Sequence, residues 1–300
     1  MIQTVSGNVN KLGITMSHEH LIIDLRRVRG DEDSYIADMD LAVRELLKAK
    51  ELLVAAIIEV TCNDMGRDVK KLQDIAARTG MNIVCSTGFY LKEYHTDFVK
   101  SARTEELEEL FVRELTEGID NTGIKAGIIG EIGCSKVEID KNEEKVLTAA
   151  GRASRKTGAA VTTHCDMGLL GKEQLDILLK TGMDCNKMIL GHTDLTGASS
   201  YQLSLLKAGA NIAFDTIGKQ AYLSDEKRAE CLCNLLDKGY GDRILLSQDV
   251  SRRSYLKESG GSGYCAVMEN FLPLLIKKGV SDSEIRKMLV DNPERILEMG

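Results

Sequence analysis

Eight short, nearly all-apolar runs punctuate this chain, each bounded by glycine or polar residues. They read GITMSH at 13–18, AAIIEV at 55–60, NIVCSTG at 82–88 and AGIIGEIG at 126–133. AAVTTHC at 159–165, KMILGHT at 187–193, NIAFDTIG at 211–218 and RILLSQD at 243–249 complete the set. Short β-branched runs without polar alternation are strands covered on both faces. Such strands are parallel, and parallel neighbours need a crossover of a dozen or more residues.

The intervening segments carry helical patterns. In TEELEELFVRELTEG, Thr104 is a candidate cap, and Glu105 and Glu106 complement the helix N-terminus. Leu107, Leu110, Phe111 and Leu115 form the apolar stripe, and Gly118 suits the stop. Ser281 and Glu284 have capping-box spacing. Asn292 reads as a cap before Pro293 at a first helical turn. Eight β/α units in 300 residues predict an α/β fold of the (β/α)8 TIM-barrel type, one domain over 1–300. An open doubly wound sheet is the alternative, but no GxGxxG follows the first strand. SGGSG at 259–263 suits a mobile loop rather than a linker.

In such a barrel, chemistry gathers at the C-terminal strand ends. Those ends carry His18 and His20, Glu131, His164, His192 and Asp249, including four of only five histidines. His18 and His20 are two apart, so strand alternation turns both to one face and Glu19 to the other. Imidazole nitrogen and carboxylate oxygen are zinc ligands, and four histidines with two carboxylates suffice for two ions if one carboxylate bridges. Each short motif alone has a structural reading, a packed histidine or a helix-capping acid. The joint pattern carries the metal reading.

Other classes are disfavoured. A net charge of −7 opposes a nucleic-acid partner. The longest apolar run, Leu52 to Ile58, is far short of the roughly 20 residues of a membrane span. The N-terminus shows no signal-peptide pattern, and the eight cysteines form no CxxC pair, so reduced thiols in a cytoplasmic protein are the expectation.

With these residues in order, the chain resembles the phosphotriesterase family of the amidohydrolase superfamily, most closely its subgroup of phosphotriesterase homology proteins. GITMSHEH, GIIGEIG, THCDMG, LGHTDL, FDTIGK, LLSQDVSRRSYLKESGGSGY and the closing DNPERIL carry the resemblance over nearly the whole chain. It implies two divalent ions, usually Zn2+, with Mn2+ or Co2+ as alternatives. His18, His20 and Asp249 would hold the more buried ion and His164 and His192 the more exposed one, with a strand-four residue bridging. Many members bridge with a carboxylated lysine. This chain has Glu131 there, Lys125 before the strand and Lys136 after it. The resemblance also implies a small-molecule substrate and a homodimer, although no interface signature is visible.

These residues support hydrolysis. Two ions against two carboxylates leave a positive site that favours hydroxide at neutral pH and polarises a C=O or P=O group. Asp249 is placed as the proton acceptor. The family resemblance offers lactones, with phosphotriesters as a side activity. Lys219, Arg252, Arg253 and Tyr255, in the loops after strands seven and eight, suggest an anionic lactone such as a sugar-lactone phosphate. Solvated surface charge is the competing reading for the cations. Tyr90 resembles a family position near the substrate carbonyl, and His95 lies outside the metal pattern. Two rivals stay open: a metal-binding barrel without activity, and a mononuclear deaminase-like enzyme.

Overall fold

Strand alternation sorts each apolar run onto two faces, and the computed structural model, which describes residues 1–299, shows both faces covered. The strands are β1 (Ile14–Glu19), β2 (Val54–Glu59), β3 (Asn82–Thr87) and β4 (Ile128–Cys134). β5 (Ala160–Cys165), β6 (Met188–Gly191), β7 (Asn211–Phe214) and β8 (Ile244–Leu246) follow. Each pairs in parallel with its sequence neighbours in one eight-stranded sheet, with helices between strands, so the (β/α)8 barrel is the observed fold.

Ile58, Val84, Ile128, Ala160, Ile189, Ala213 and Leu245, one from each of seven strands, pack into a single inner cluster. Their neighbours Ile57, Ile83, Ile129, Val161, Leu190, Ile212 and Leu246 belong to the larger cluster shared with the helices. The N-terminal hairpin, Ile2–Thr4 with Gly7–Val9, brings Ile2 into the inner cluster beside Leu12, Ile296 and Leu297. Lys125 lines a hollow with Gln3 and Met299 beside this hairpin, away from the histidines.

The backbone ladder stops between β8 and β1, and side chains close the gap. Ser17 Oγ donates to Leu246 O at 3.0 Å. Ser247 Oγ accepts from the His18 N–H at 3.0 Å and donates to Glu19 Oε1 at 2.6 Å. Glu19 also accepts from Gln248 N–H and Nε2 and from Val250 N–H, at 2.8–2.9 Å. Alternation does turn Glu19 away from the histidines, and there it fastens the segment that carries Asp249.

Two cap expectations are corrected. The helix at Thr104–Thr116 begins at Thr104 itself, and Glu106 accepts from the Arg103 N–H at 2.8 Å. Asn292 does not cap: the chain enters Asn292–Leu297 from a wide π turn over Lys287–Asp291, and the Asn292 amide donates to Gly241 O and Ile244 O. The Ser281 cap is present, accepting from the Glu284 N–H. The segment at 259–263 runs through short 3-10 turns. All eight cysteines are free. Among the described residues no helix is long and apolar enough to cross a membrane.

Candidate metal centre

β1 delivers His18 and His20 to the C-terminal mouth of the barrel, both fully buried. Glu131 comes from β4, where the register with β5 shifts between Ile129 and Ile132. Gly130, at φ +114°, permits this irregularity, because a Cβ there would stand 2.0 Å from Thr162 O. His164 ends β5, while His192 and Asp249 lie just beyond β6 and β8. His192 (φ 56°) and Asp249 (φ 50°) both adopt left-handed backbone, which costs about 1–3 kcal/mol each and persists only where the surroundings enforce it. Here the His192 N–H donates to Asp215 Oδ1 at 2.8 Å, and the Asp249 N–H to His18 O at 3.2 Å.

The four histidines converge on Glu131, and Asp249 joins through His20. Glu131 Oε2 lies 3.2 Å from His18 Nε2, 3.2 Å from His164 Nδ1 and 3.5 Å from His192 Nε2. Its Oε1 lies 3.3 Å from His20 Nε2, which is also 3.3 Å from Asp249 Oδ1. Ligand atoms about 2.0–2.2 Å from one ion in a tetrahedral array stand about 3.3–3.5 Å apart, so these spacings suit coordination. Alignment points the same way. His18 Nε2 and His20 Nε2 are buried and make no hydrogen bond despite their carboxylate neighbours. A buried nitrogen that close to a carboxylate oxygen, yet without a hydrogen bond, is free to serve as a ligand. Among the described residues three groups of donors could hold an ion: His18–His20–Glu131 and Glu131–His164–His192, which share Glu131, and His18–His192–Asp215, which spans the other two.

The carboxylates favour positive charge at this centre. Burial disfavours charge on His18, but Glu131 and Asp215 outweigh it and push its pKa up to about 10. Burial likewise opposes charge on His20, and Asp249 and Glu131 push it up to about 9. Burial would raise the Asp249 carboxyl, yet the Lys219 ammonium and His20 hold it well below the usual carboxylate range.

Two acids that sequence reasoning passed over, Asp215 and Glu59, support these groups, and a third, Asp194, is buried nearby. Asp215, one residue beyond β7, places Oδ1 at 2.9 Å from His192 Nδ1 and Oδ2 at 3.1 Å from His18 Nδ1. Glu59, at the end of β2, accepts from Thr61 Oγ1 at 2.6 Å, and that hydroxyl meets His20 Nδ1 at 2.9 Å. Both contacts direct the Nε2 atoms inward. Asp194 is bound by the fully buried Arg228, whose guanidinium also reaches Thr216 Oγ1 and Asp225. Asp215 and Glu59 both sit at strand ends, the same signal that exposed the histidines.

The centre opens into a cleft of about 570 Å³. Tyr90, Lys219, Arg252 and Tyr255 line it; Arg253 does not and is exposed. The Tyr90 hydroxyl is 3.2 Å from His164 Nδ1. Lys219 Nζ contacts Asp249 Oδ2 and lies 5.0 Å from the Tyr255 ring centroid. Arg252 Nη1 is engaged by Asp31 at 3.2 Å and Asp33 at 3.4 Å. His95 is buried, with Nε2 2.9 Å from Tyr90 O, and does not reach the centre.

The model of the Phosphotriesterase family matches residues 1–297. The chain belongs to the phosphotriesterase family. This is a family of hydrolytic enzymes, and the donor clusters here suit its dependence on metal. The phosphotriesterase homology protein of Escherichia coli is 37% identical over 286 residues, covering 95% of this chain and 98% of that protein. Its crystal structure, described as complexed with phosphate in the active site, superposes with a TM-score of 0.94 over 96% of this chain and 99% of that one. The N-acetyltaurine hydrolase of Dictyostelium discoideum is 34% identical, over 87% of this chain and 73% of that protein. A lactonase from Listeria monocytogenes superposes at 27% identity with a TM-score of 0.95, over 100% and 99% of the two chains.

Proposed function

We propose that this family member is a binuclear zinc hydrolase that cleaves a lactone or ester carbonyl in a small anionic substrate, with phosphorylated sugar lactones the leading class. The convergence of four histidines, Glu131 and Asp249 at ligand spacing, at the floor of a cleft, carries this reading. His18, His20 and Asp249 would hold one ion, His164 and His192 the other, with Glu131 between them. Divalent ions supply an acidified water, with a pKa near 7, and a polarised carbonyl.

The chain's own groups do the rest. Asp249 takes the proton of the attacking water and returns it to the leaving group. Lys219, against Asp249 Oδ2, keeps that carboxylate ionised between turnovers. Tyr90, with its hydroxyl on His164, orients the carbonyl. Lys219, Tyr255 and Arg252 line the cleft, Lys219 and Arg252 already paired with carboxylates, and Arg29 on the same wall adds a cation that suits an anionic substrate. Weak phosphotriester cleavage is the expected side reaction.

A second reading concerns the scissile bond. A relative 34% identical is named an N-acetyltaurine hydrolase. An amide of an amino sulfonate is also a carbonyl substrate with an anionic end, so the same cleft serves it. Metal-replete protein assayed on phosphorylated and neutral sugar lactones, simple esters, N-acetyltaurine and a phosphotriester, alongside metal content, tests both. Two metals per chain with no turnover of any would favour a barrel that only binds metal, and one metal per chain a mononuclear enzyme.

A further inference from the structure

The short helix Arg26–Arg29, in the loop after β1, carries three arginines, and two of them have close protein partners. Arg26 pairs with Asp24 at 2.7 Å and Glu32 at 3.3 Å and lies 3.7 Å over the Tyr35 ring. Arg27 Nη2 donates to Tyr94 O. Arg29 is half-buried and lines the cleft, with Nη1 3.5 Å from Ser251 O and the Tyr94 hydroxyl as its other neighbour. Among the described residues no carboxylate oxygen comes within 4.0 Å of its guanidinium. Its five donors therefore face the cleft almost unspent.

The other cleft cations differ. Lys219 is committed to Asp249, and Arg252 to Asp31 and Asp33, so the local charge around Arg252 is already −1. Lys136 is exposed, and Lys92 lacks the planar fork that matches an oxyanion. Arg29 lines the same cleft as Tyr90, His164 and His192, so its charge faces the cavity that the outer donor group also borders.

The geometry points to Arg29 as the anchor for the oxyanion of the substrate, a sulfonate, carboxylate or phosphate two-point bound by the guanidinium fork. Arg252 then shapes the wall by holding the Asp31–Asp33 turn in place. This assignment rests on the cleft being the substrate site. It makes Arg29 a specificity residue, selecting charged over neutral carbonyl compounds, without a part in bond cleavage.

The test uses metal-replete protein and two matched pairs: N-acetyltaurine against N-acetylethanolamine, and a sugar lactone with and without its phosphate. For each pair the charged-to-neutral ratio is taken, from kcat/KM where turnover occurs and from calorimetric Kd where it does not. Wild type should favour the charged member tenfold or more in at least one pair. Arg29→Met should cut that ratio at least tenfold, mainly through KM or Kd, and Arg29→Lys should restore part of it. Arg252→Met should leave the larger share of the ratio. No preference in wild type, or a ratio that survives Arg29→Met, overturns the assignment. Absent turnover with a ratio lost in Arg29→Met would sustain the anchor and remove the hydrolase reading.

Discussion

Asp215 and His192 are joined twice: one carboxylate oxygen, Oδ1, accepts the His192 backbone N–H at 2.8 Å and faces its Nδ1 at 2.9 Å. The same carboxylate stands 3.1 Å from Nδ1 of His18, which belongs to the other donor group. One acid thus fixes ring orientation in both halves of the centre. Loss of such a partner typically weakens metal binding about 10–100-fold. Asp215→Asn should show a drop of that size in competition with a chelator, at both sites together. Unchanged affinity would mean that packing alone sets the two rings.

Glu131 needs no carbon dioxide to present two oxygens, and each oxygen already faces a histidine nitrogen at 3.2–3.3 Å. Metal-stripped protein reloaded in CO2-free buffer should take up as much metal as protein reloaded with bicarbonate. A bicarbonate requirement would contradict Glu131 as the bridge. Glu131→Gln should lose affinity at both donor groups, because both include it.

The barrel and its converging groups were legible in the sequence for one physical reason. A strand covered on both faces is an apolar run, so a histidine or carboxylate at its end stands out, as at His18, Glu131, His164, His192 and Asp249. Asp215 and Glu59 occupy equivalent ends, but an acid serving a ligand looks like an acid capping a helix until its partner is seen. Arg29 was hidden because a four-residue helix has no periodicity to read. Arg252 and Arg253 looked alike as neighbours, yet only the fold brings Asp31 and Asp33 to Arg252 from 221 and 219 residues away. The left-handed backbone at His192 and Asp249 left no trace, since non-glycine residues, even the Asp and His that adopt it more readily than most, do so in only a small minority of positions.

Glu19 closes the barrel where the ladder is missing. Glu19→Ala would leave the Gln248 N–H and Nε2 and the Val250 N–H buried without this acceptor, while the Ser247 hydroxyl can turn to His18 O. At about 1–3 kcal/mol for each such group, the loss should reach about 3 kcal/mol or more. Urea unfolding should show a lower midpoint at unchanged slope. Activity should fall as well, because Val250 adjoins Asp249 and the released segment carries both. A variant with wild-type stability would show that Ser17 and Ser247 close the gap unaided.

Asp64 supplies a pH dependence outside the metal groups. It is half-buried beside Tyr90, whose N–H donates to Oδ1 at 2.9 Å, while the enclosed Oδ2 has no partner. Burial raises its pKa to about 7, against an ordinary value of 3.8. In that window the folded chain holds a proton that the unfolded chain has released, so this group makes stability fall as pH rises from about 4 to about 7. Above pH 7 the folded state carries the full cost of the buried charge. Asp64→Asn keeps the Oδ1 acceptor and removes the charge. The stability difference, variant minus wild type, should therefore grow by about 2–3 kcal/mol between about pH 5 and about pH 8. Subtracting the two unfolding profiles isolates Asp64, because every other titrating group is shared. Parallel profiles would show that Asp64 ionises at its ordinary pH, with water on Oδ2 supplying the missing partner.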